Sequence, residues 1–195
     1  MRDVELLAPV GSFEALKAAV QNGANAVYLG GKDFGARASA NNFDRDELKE
    51  AVKYAHIRGV QVFVTTNTLR KENEIEDFLE YAKFLYDIDV DAIILQDIGM
   101  ARLIKRELPD FELHASTQMV AHSLEDVKYL EGVGFDRVVL AREVTLDEMK
   151  IFFIASFIVL PFNSPTLVGI ATGQYIEIEG KYSTATLNRR LVLNK

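Results

Sequence analysis

One rhythm constrains this chain more than any other feature. A short apolar strand ends in a polar or glycine-rich corner, a capped amphipathic helix follows, and the pair repeats. The strand candidates are VELLAP (4–9), AVYLGG (26–31), VFVTTNT (62–68), AIILQD (92–97), FELHASTQ (111–118) and VVLARE (138–143). Six strands alternating with helices require a parallel sheet covered by helices. The fold class expected is α/β, a partial or modified TIM-like (β/α) barrel with six recognisable βα units.

Helix starts carry the same message. Ser12 is placed to cap a helix bearing Phe13, Leu16, Ala19 and Val20, stopped by Gly23. Asp44 with Glu47, and Thr145 with Glu148, have capping-box spacing. Ile75, Phe78, Leu79, Ala82 and Leu85 make one apolar stripe over 74–87. Pro109 closes a short helix from Gly99, and Ser123 caps another ending near Gly132 and Gly134.

The rhythm stops at about residue 150. Residues 1–150 form the βα-repeat region, and 151–195 read as a divergent apolar and β-hairpin tail packed on the same domain. IFFIASFIVL (151–160) is a buried helix or a buried strand, since periodicity does not separate the two. Tyr175 to Glu179 and Tyr182 to Leu187 flank Gly180-Lys181 as a hairpin. Six βα units alone leave open sheet edges, so association into a homo-oligomer is expected unless the tail covers them. The apolar run is too short to span a membrane. The first residues lack the apolar core of a signal peptide, which makes a cytoplasmic protein the expectation.

Composition removes some chemistries. The 195 residues contain no cysteine, hence no thiolate nucleophile and no thiolate metal ligand. His114 and His122 lie eight apart, which is no recognised metal spacing, and neither metal nor cofactor is expected. The net charge of −7 argues against nucleic acid as a partner without excluding a local basic patch.

Chemistry is expected where the strands end. Asn67, Gln96, Asp97, Arg142 and Glu143 sit at predicted strand C-termini. In FELHASTQ, alternation puts Glu112, His114, Ser116 and Gln118 on one face, which should point into the barrel. Glu5 stands in an apolar strand and needs a partner, for which Arg142 is one choice. The loop at 32–44 exceeds the usual βα length and holds Arg37 and Asn42, either as a substrate clamp or as a plain surface loop. Gly30-Gly31 reads as a tight-turn pair.

The segments ELLAPVGSFEALKAAVQNGANAVYLGG, FGARASANNF, TTNTL, ILQDIGM, HASTQM and VVLAREVTLDEM, in that order, resemble the collagenase-like peptidase family, peptidase U32. The resemblance spans about residues 1–150 and implies the N-terminal part of a TIM-like barrel. It marks Glu5, Gly30, Arg37, Asn42, Asn67, Gln96, Asp97, His114, Ser116, Gln118, Arg142 and Glu143 as site surface. It also implies a hydrolase acting on peptide or protein substrates. In a concrete version His114 is the base, Glu112 orients it, and Arg142 or Asn67 stabilises the oxyanion. Other branches of the family are hydroxylation factors for tRNA, rRNA or the ubiquinone pathway and are associated with cysteine-ligated iron–sulfur clusters. The family's cysteine-bearing segment after the sixth unit is replaced here by IFFIASFIVLPFNSP. Two alternatives follow: a truncated, inactive member, or a factor related to those hydroxylations that has lost its iron–sulfur cysteines.

Overall fold

The computed structural model describes residues 5–35, 42–145, 148, 158–160 and 184–187. Six parallel strands form the frame: β1 (Glu5–Val10), β2 (Ala26–Gly30), β3 (Gln61–Thr65), β4 (Ala92–Leu95), β5 (Glu112–Ala115) and β6 (Arg137–Val139). The helices between them are α1 (Phe13–Gln21), α2 (Arg45–His56), α3 (Ile75–Asp87), α4 (Ile98–Glu107) and α5 (Leu124–Val133). β7 (Ile158–Leu160) continues the sheet parallel to β6, and β8 (Thr184–Leu187) runs antiparallel between β7 and β1. In this order the eight strands close into a barrel.

The caps read from the sequence are formed. The Ser12 hydroxyl accepts from the Ala15 N–H at 3.2 Å. Asp44 accepts from the Asp46 and Glu47 N–H groups while Glu47 reaches back to the Asp44 N–H at 2.8 Å. Ser123 and Asp126 make the same reciprocal pair. Gly23, Gly59 and Gly134 follow their helices with positive φ, the conformation glycine adopts at least cost. Thr145 and Glu148 exchange their capping contacts as well, and the rest of that predicted helix lies outside the described residues.

The pleat sorts side chains into two cores. Val27, Leu29, Val62, Val64, Ile93, Leu95, Leu113 and Ala115 face outward and pack under the helices. Leu7, Ala26, Phe63, Ala92, Ile94 and Val139 fill the barrel, with Tyr28 against them. The predicted stripe on α3 is there with one addition, the fully buried Tyr81.

Three expectations are corrected. Strands β3 to β6 end earlier than read, because their last polar residues turn into loops and caps. Ser116 therefore opens a 3-10 turn and accepts from the Gln118 N–H, which puts Gln118 on the exposed surface instead of the inward face. Glu5 pairs with Arg137 and not with Arg142; Arg142 lies on an exposed turn beyond β6, whereas Arg137 opens β6 at the end where Glu5 opens β1. Of the two alternatives for the sheet edges, open or covered by the tail, the tail covers them, β7 pairing with β6 and β8 with β1. The strand alternative holds for 158–160, and the first half of the predicted hairpin lies outside the described residues.

Candidate functional site

A cavity of about 150 Å³ opens at the C-terminal ends of β1 to β3. Pro9, Val10 and Gly11 come from the first strand end, Tyr28, Leu29 and Gly30 from the second, and Thr65 and Asn67 from the third. Gly35 and Asn42 come from the long loop between β2 and α2. This is the end of a βα barrel at which loops supply binding groups.

Local chemistry brings the loop back over the cavity. The Phe43 N–H donates to the Gly30 carbonyl and the Lys32 N–H to the Phe43 carbonyl, both at 2.9 Å. This bridge clips the two ends of the loop together beside β2 and sets Asn42 against Gly30. A Cβ on Gly30 would lie 2.9 Å from Asn42 Oδ1 and 3.4 Å from Thr65 Oγ1, so the bare glycine is what admits the amide. Gly31 serves the other face: a Cβ there would lie 2.0 Å from the Tyr81 hydroxyl. The pair read as a tight turn is thus two close approaches on opposite sides of the sheet.

Arg70 fastens this loop from the neighbouring one. Its guanidinium donates to the Phe34 carbonyl at 2.9 Å, to the Thr66 carbonyl at 3.1 Å and to the Thr68 hydroxyl. Its Cζ sits 4.7 Å and 4.8 Å from the ring centres of Phe34 and Phe78. Burial pulls its pKa below the ordinary value, and Glu74 and Asp97 oppose that. The Thr68 hydroxyl adds a bond to the Phe34 carbonyl at 3.2 Å. Phe34 is held at φ +61°, a strained value for a bulky residue.

Several sequence-predicted site residues cluster around this end. Asn42 and Asn67 line the cavity. Gln96 donates to the Asn67 carbonyl at 2.9 Å. Asp97 caps α4 through the Met100 N–H and also accepts from the Arg70 N–H, so its carboxylate organises the rim. Ser116 is buried as a turn cap. Arg142 and Glu143 are exposed after β6, and Arg37 lies outside the described residues.

The other predicted group sits lower in the barrel. Glu5, Glu112 and Arg137 each open their strands, and His114 stands beside Arg137 in register. Arg137 Nη1 is 3.1 Å from Glu5 Oε1. His114 Nε2 is 3.7 Å from Glu112 Oε1, beyond hydrogen-bonding range, and has no hydrogen-bond partner among the described residues. Phe63 packs against both basic side chains, its ring edge-on to His114 at 4.6 Å and beneath Arg137 Cζ at 5.2 Å. Burial pushes the His114 pKa down to about 4, with Glu112 opposing and Arg137 reinforcing. Burial raises Glu112, but the neighbouring His114, Arg137 and Lys105 outweigh it and hold the carboxyl below its usual range. Predicted inward-facing by alternation, Glu112 and His114 do share one face. They do not line the C-terminal cavity, and neither does Arg142.

Sequence reasoning passed over Arg137, Arg70, Thr65 and Tyr28. The signal for Arg137 was its strand phase, two residues before the inward Val139. Arg70 lies just beyond the TTNTL segment and carried no periodic signal. The remaining histidines are structural: His56 Nε2 lies 2.8 Å from the Asp91 carboxylate, and exposed His122 lies 3.0 Å from the Val120 carbonyl.

Residues 11–153 match the model of peptidase family U32. The chain is 42% identical over 147 residues to the 23S rRNA 5-hydroxycytidine C2501 synthase of Escherichia coli, covering 75% of this chain and 22% of that protein. It is 39% identical over 146 residues to tRNA hydroxylation protein P1 of Bacillus subtilis, covering 75% and 35%. It is 33% identical over 151 residues to the collagenase of Porphyromonas gingivalis, covering 77% and 36%. The chain thus spans between about a fifth and a third of the length of these relatives. Among solved structures, the U32 peptidase Mk0906 superimposes with a TM-score of 0.66 at 14% identity, over all of this chain and 88% of that one.

Proposed function

The chain belongs to peptidase family U32, and from that premise we propose that it is an RNA-binding member related to the family's tRNA and rRNA hydroxylation proteins. The observation that carries this reading is the 42% and 39% identity to relatives named for rRNA and tRNA hydroxylation. The cavity at the strand C-termini is lined by Asn42, Asn67, Thr65 and Tyr28 together with Pro9, Val10, Leu29 and three glycines, and its described lining includes no acid–base dyad. The expectation against nucleic acid rested on the acidic net charge and the absence of cysteine, and these relatives outweigh it.

The chain has no cysteine, so none of its residues offers a thiolate to an iron–sulfur cluster. Its own contribution is to bind and orient RNA at the C-terminal face of the barrel. Fluorescence anisotropy with tRNA and an rRNA fragment, across a salt series, tests this. Saturable binding that weakens with salt is expected, with a slope of about 0.7 per phosphate contacted on single strands. Absence of saturable binding at low salt overturns the reading.

Hydrolysis of peptide or protein substrates is the second reading, supported by the collagenase relative. In it His114 is the base and Glu112 its orienting group. Depression of the His114 pKa keeps the ring neutral, the state a base needs, although burial leaves its Nε2 remote from solvent. Gelatin hydrolysis that disappears in a folded His114→Ala variant supports this reading. An unchanged rate removes His114 from the mechanism.

A further inference from the structure

We propose that the N-terminal mouth of the barrel binds one ordered water molecule, shared by Arg137 Nε, His114 Nε2 and the Glu112 carboxylate. The site is separate from the cavity at the ends of β1 to β3 and depends on neither reading of the function.

Two buried nitrogens on neighbouring strands lack partners. His114 is 1% exposed and Arg137 5%, and among the described residues neither His114 Nε2 nor Arg137 Nε has a hydrogen-bond partner. Native proteins leave few buried polar atoms unpaired, and an internal water is the ordinary partner where no protein group reaches. These two side chains are placed to share one. They are paired in register on β5 and β6 and pack on the same Phe63 ring, at 4.6 Å and 5.2 Å. The third partner is Glu112. Its Oε1 is 3.7 Å from His114 Nε2, too long for a hydrogen bond and a separation at which one water serves both atoms. Glu112 keeps 37% of its side chain exposed, which gives the water a route in from bulk.

Charge and hydrogen-bonding capacity select water over other small ligands. The cluster holds two carboxylates, Glu5 and Glu112, against one guanidinium. An anion would add a further negative charge away from bulk water. A metal cation would meet Arg137, and the described residues include no group of three His, Cys, Asp or Glu side chains able to hold one. Water is neutral, and it both donates and accepts. Arg137 Nε–H can only donate, an ionised Glu112 can only accept, and imidazole Nε2 does either according to its tautomer. One water can therefore accept from Arg137, donate to Glu112, and keep a lone pair and a hydrogen for His114. Arg137 is already anchored elsewhere, since its Nη1 donates to Glu5 Oε1 at 3.1 Å, and this leaves Nε for the water.

High-resolution crystallography of the full chain, with bromide in place of chloride in the crystals, tests the assignment. A single-atom density peak within hydrogen-bonding distance of both nitrogens, about 2.7–3.2 Å, is expected, with no bromide anomalous signal. No peak, a peak reaching one nitrogen alone, or an anomalous signal at the position would overturn the proposal. Oxygen-17 relaxation dispersion of water reads the same site in solution. The phenyl ring of His114→Phe extends further than imidazole and offers no hydrogen-bonding nitrogen, so this variant should lose the contribution of one long-lived water. His114→Gln places an amide where Nε2 stood and should keep it. Thermal unfolding checks that both variants fold, and the crystal of the parent chain decides by itself if His114→Phe does not. An undiminished signal in folded His114→Phe, or equal losses in the two variants, overturns the shared site.

Discussion

Arg137 takes its charge into the barrel with 5% of its side chain exposed, and Glu5 meets it with 11% exposed. Removing one partner of such a pair leaves the other charge desolvated and uncompensated. Arg137→Met is therefore expected to cost about 3–5 kcal/mol in urea unfolding at pH 7. His114 adds a pH dependence. Its pKa is about 4 folded against 6.5 for the free side chain, so the unfolded chain binds the proton first as pH falls. Stability is then full above about pH 6.5 and is lost progressively down to about pH 4. Urea midpoints of the parent should be lower at pH 5 than at pH 7. That part of the fall should be absent in His114→Leu, which removes this imidazole. An identical fall in both chains would assign the pH dependence to other groups.

At the scale of elements, caps and glycines set what each segment tolerates. Asp44 closes a full capping box on α2, and Asp44→Ala is expected to lower the melting temperature. Its 3.0 Å contact with Lys32 is exposed and adds little. Gly132 lies within α5 at an ordinary helical φ, and a Cβ added to it would meet nothing within 4 Å. Gly132→Ala should raise stability by about 0.5–1 kcal/mol, because alanine gives up less conformational freedom in a helix. Gly31 is the opposite case. A methyl group there meets the hydroxyl of the fully buried Tyr81, and Gly31→Ala should lower stability by about 1–3 kcal/mol. A melting series over the three variants checks both signs at once.

For the whole molecule, closure is the decisive feature. β8 pairs with Glu5, Leu6 and Leu7 of β1 and, on its other side, with β7. Backbone groups that an open six-stranded sheet would leave at its edges are thereby paired. Hydrogen exchange should find the amides of β1 protected to a degree similar to those of β2. Rapid exchange confined to β1 would mean that its outer edge is open.

The sequence by itself determined the elements and their faces, because alternation and capping are local. Period-two alternation put Glu112 and His114 inside the barrel, and the Ser12, Asp44 and Ser123 caps located three helix starts. The same local signals ran strands through 116–118 and 140–143, since polar residues at a strand end look alike whether they extend the strand or cap the next turn. Only the tertiary structure decided that Arg137, not Arg142, answers Glu5, because the partners are 132 residues apart and meet only when β1 and β6 are placed in one barrel. It alone decided that Asn42 and Asn67 share a cavity with Gly30 while His114 does not. That separation depends on the stagger of neighbouring strands and on the return path of one long loop, and neither is encoded in any single segment.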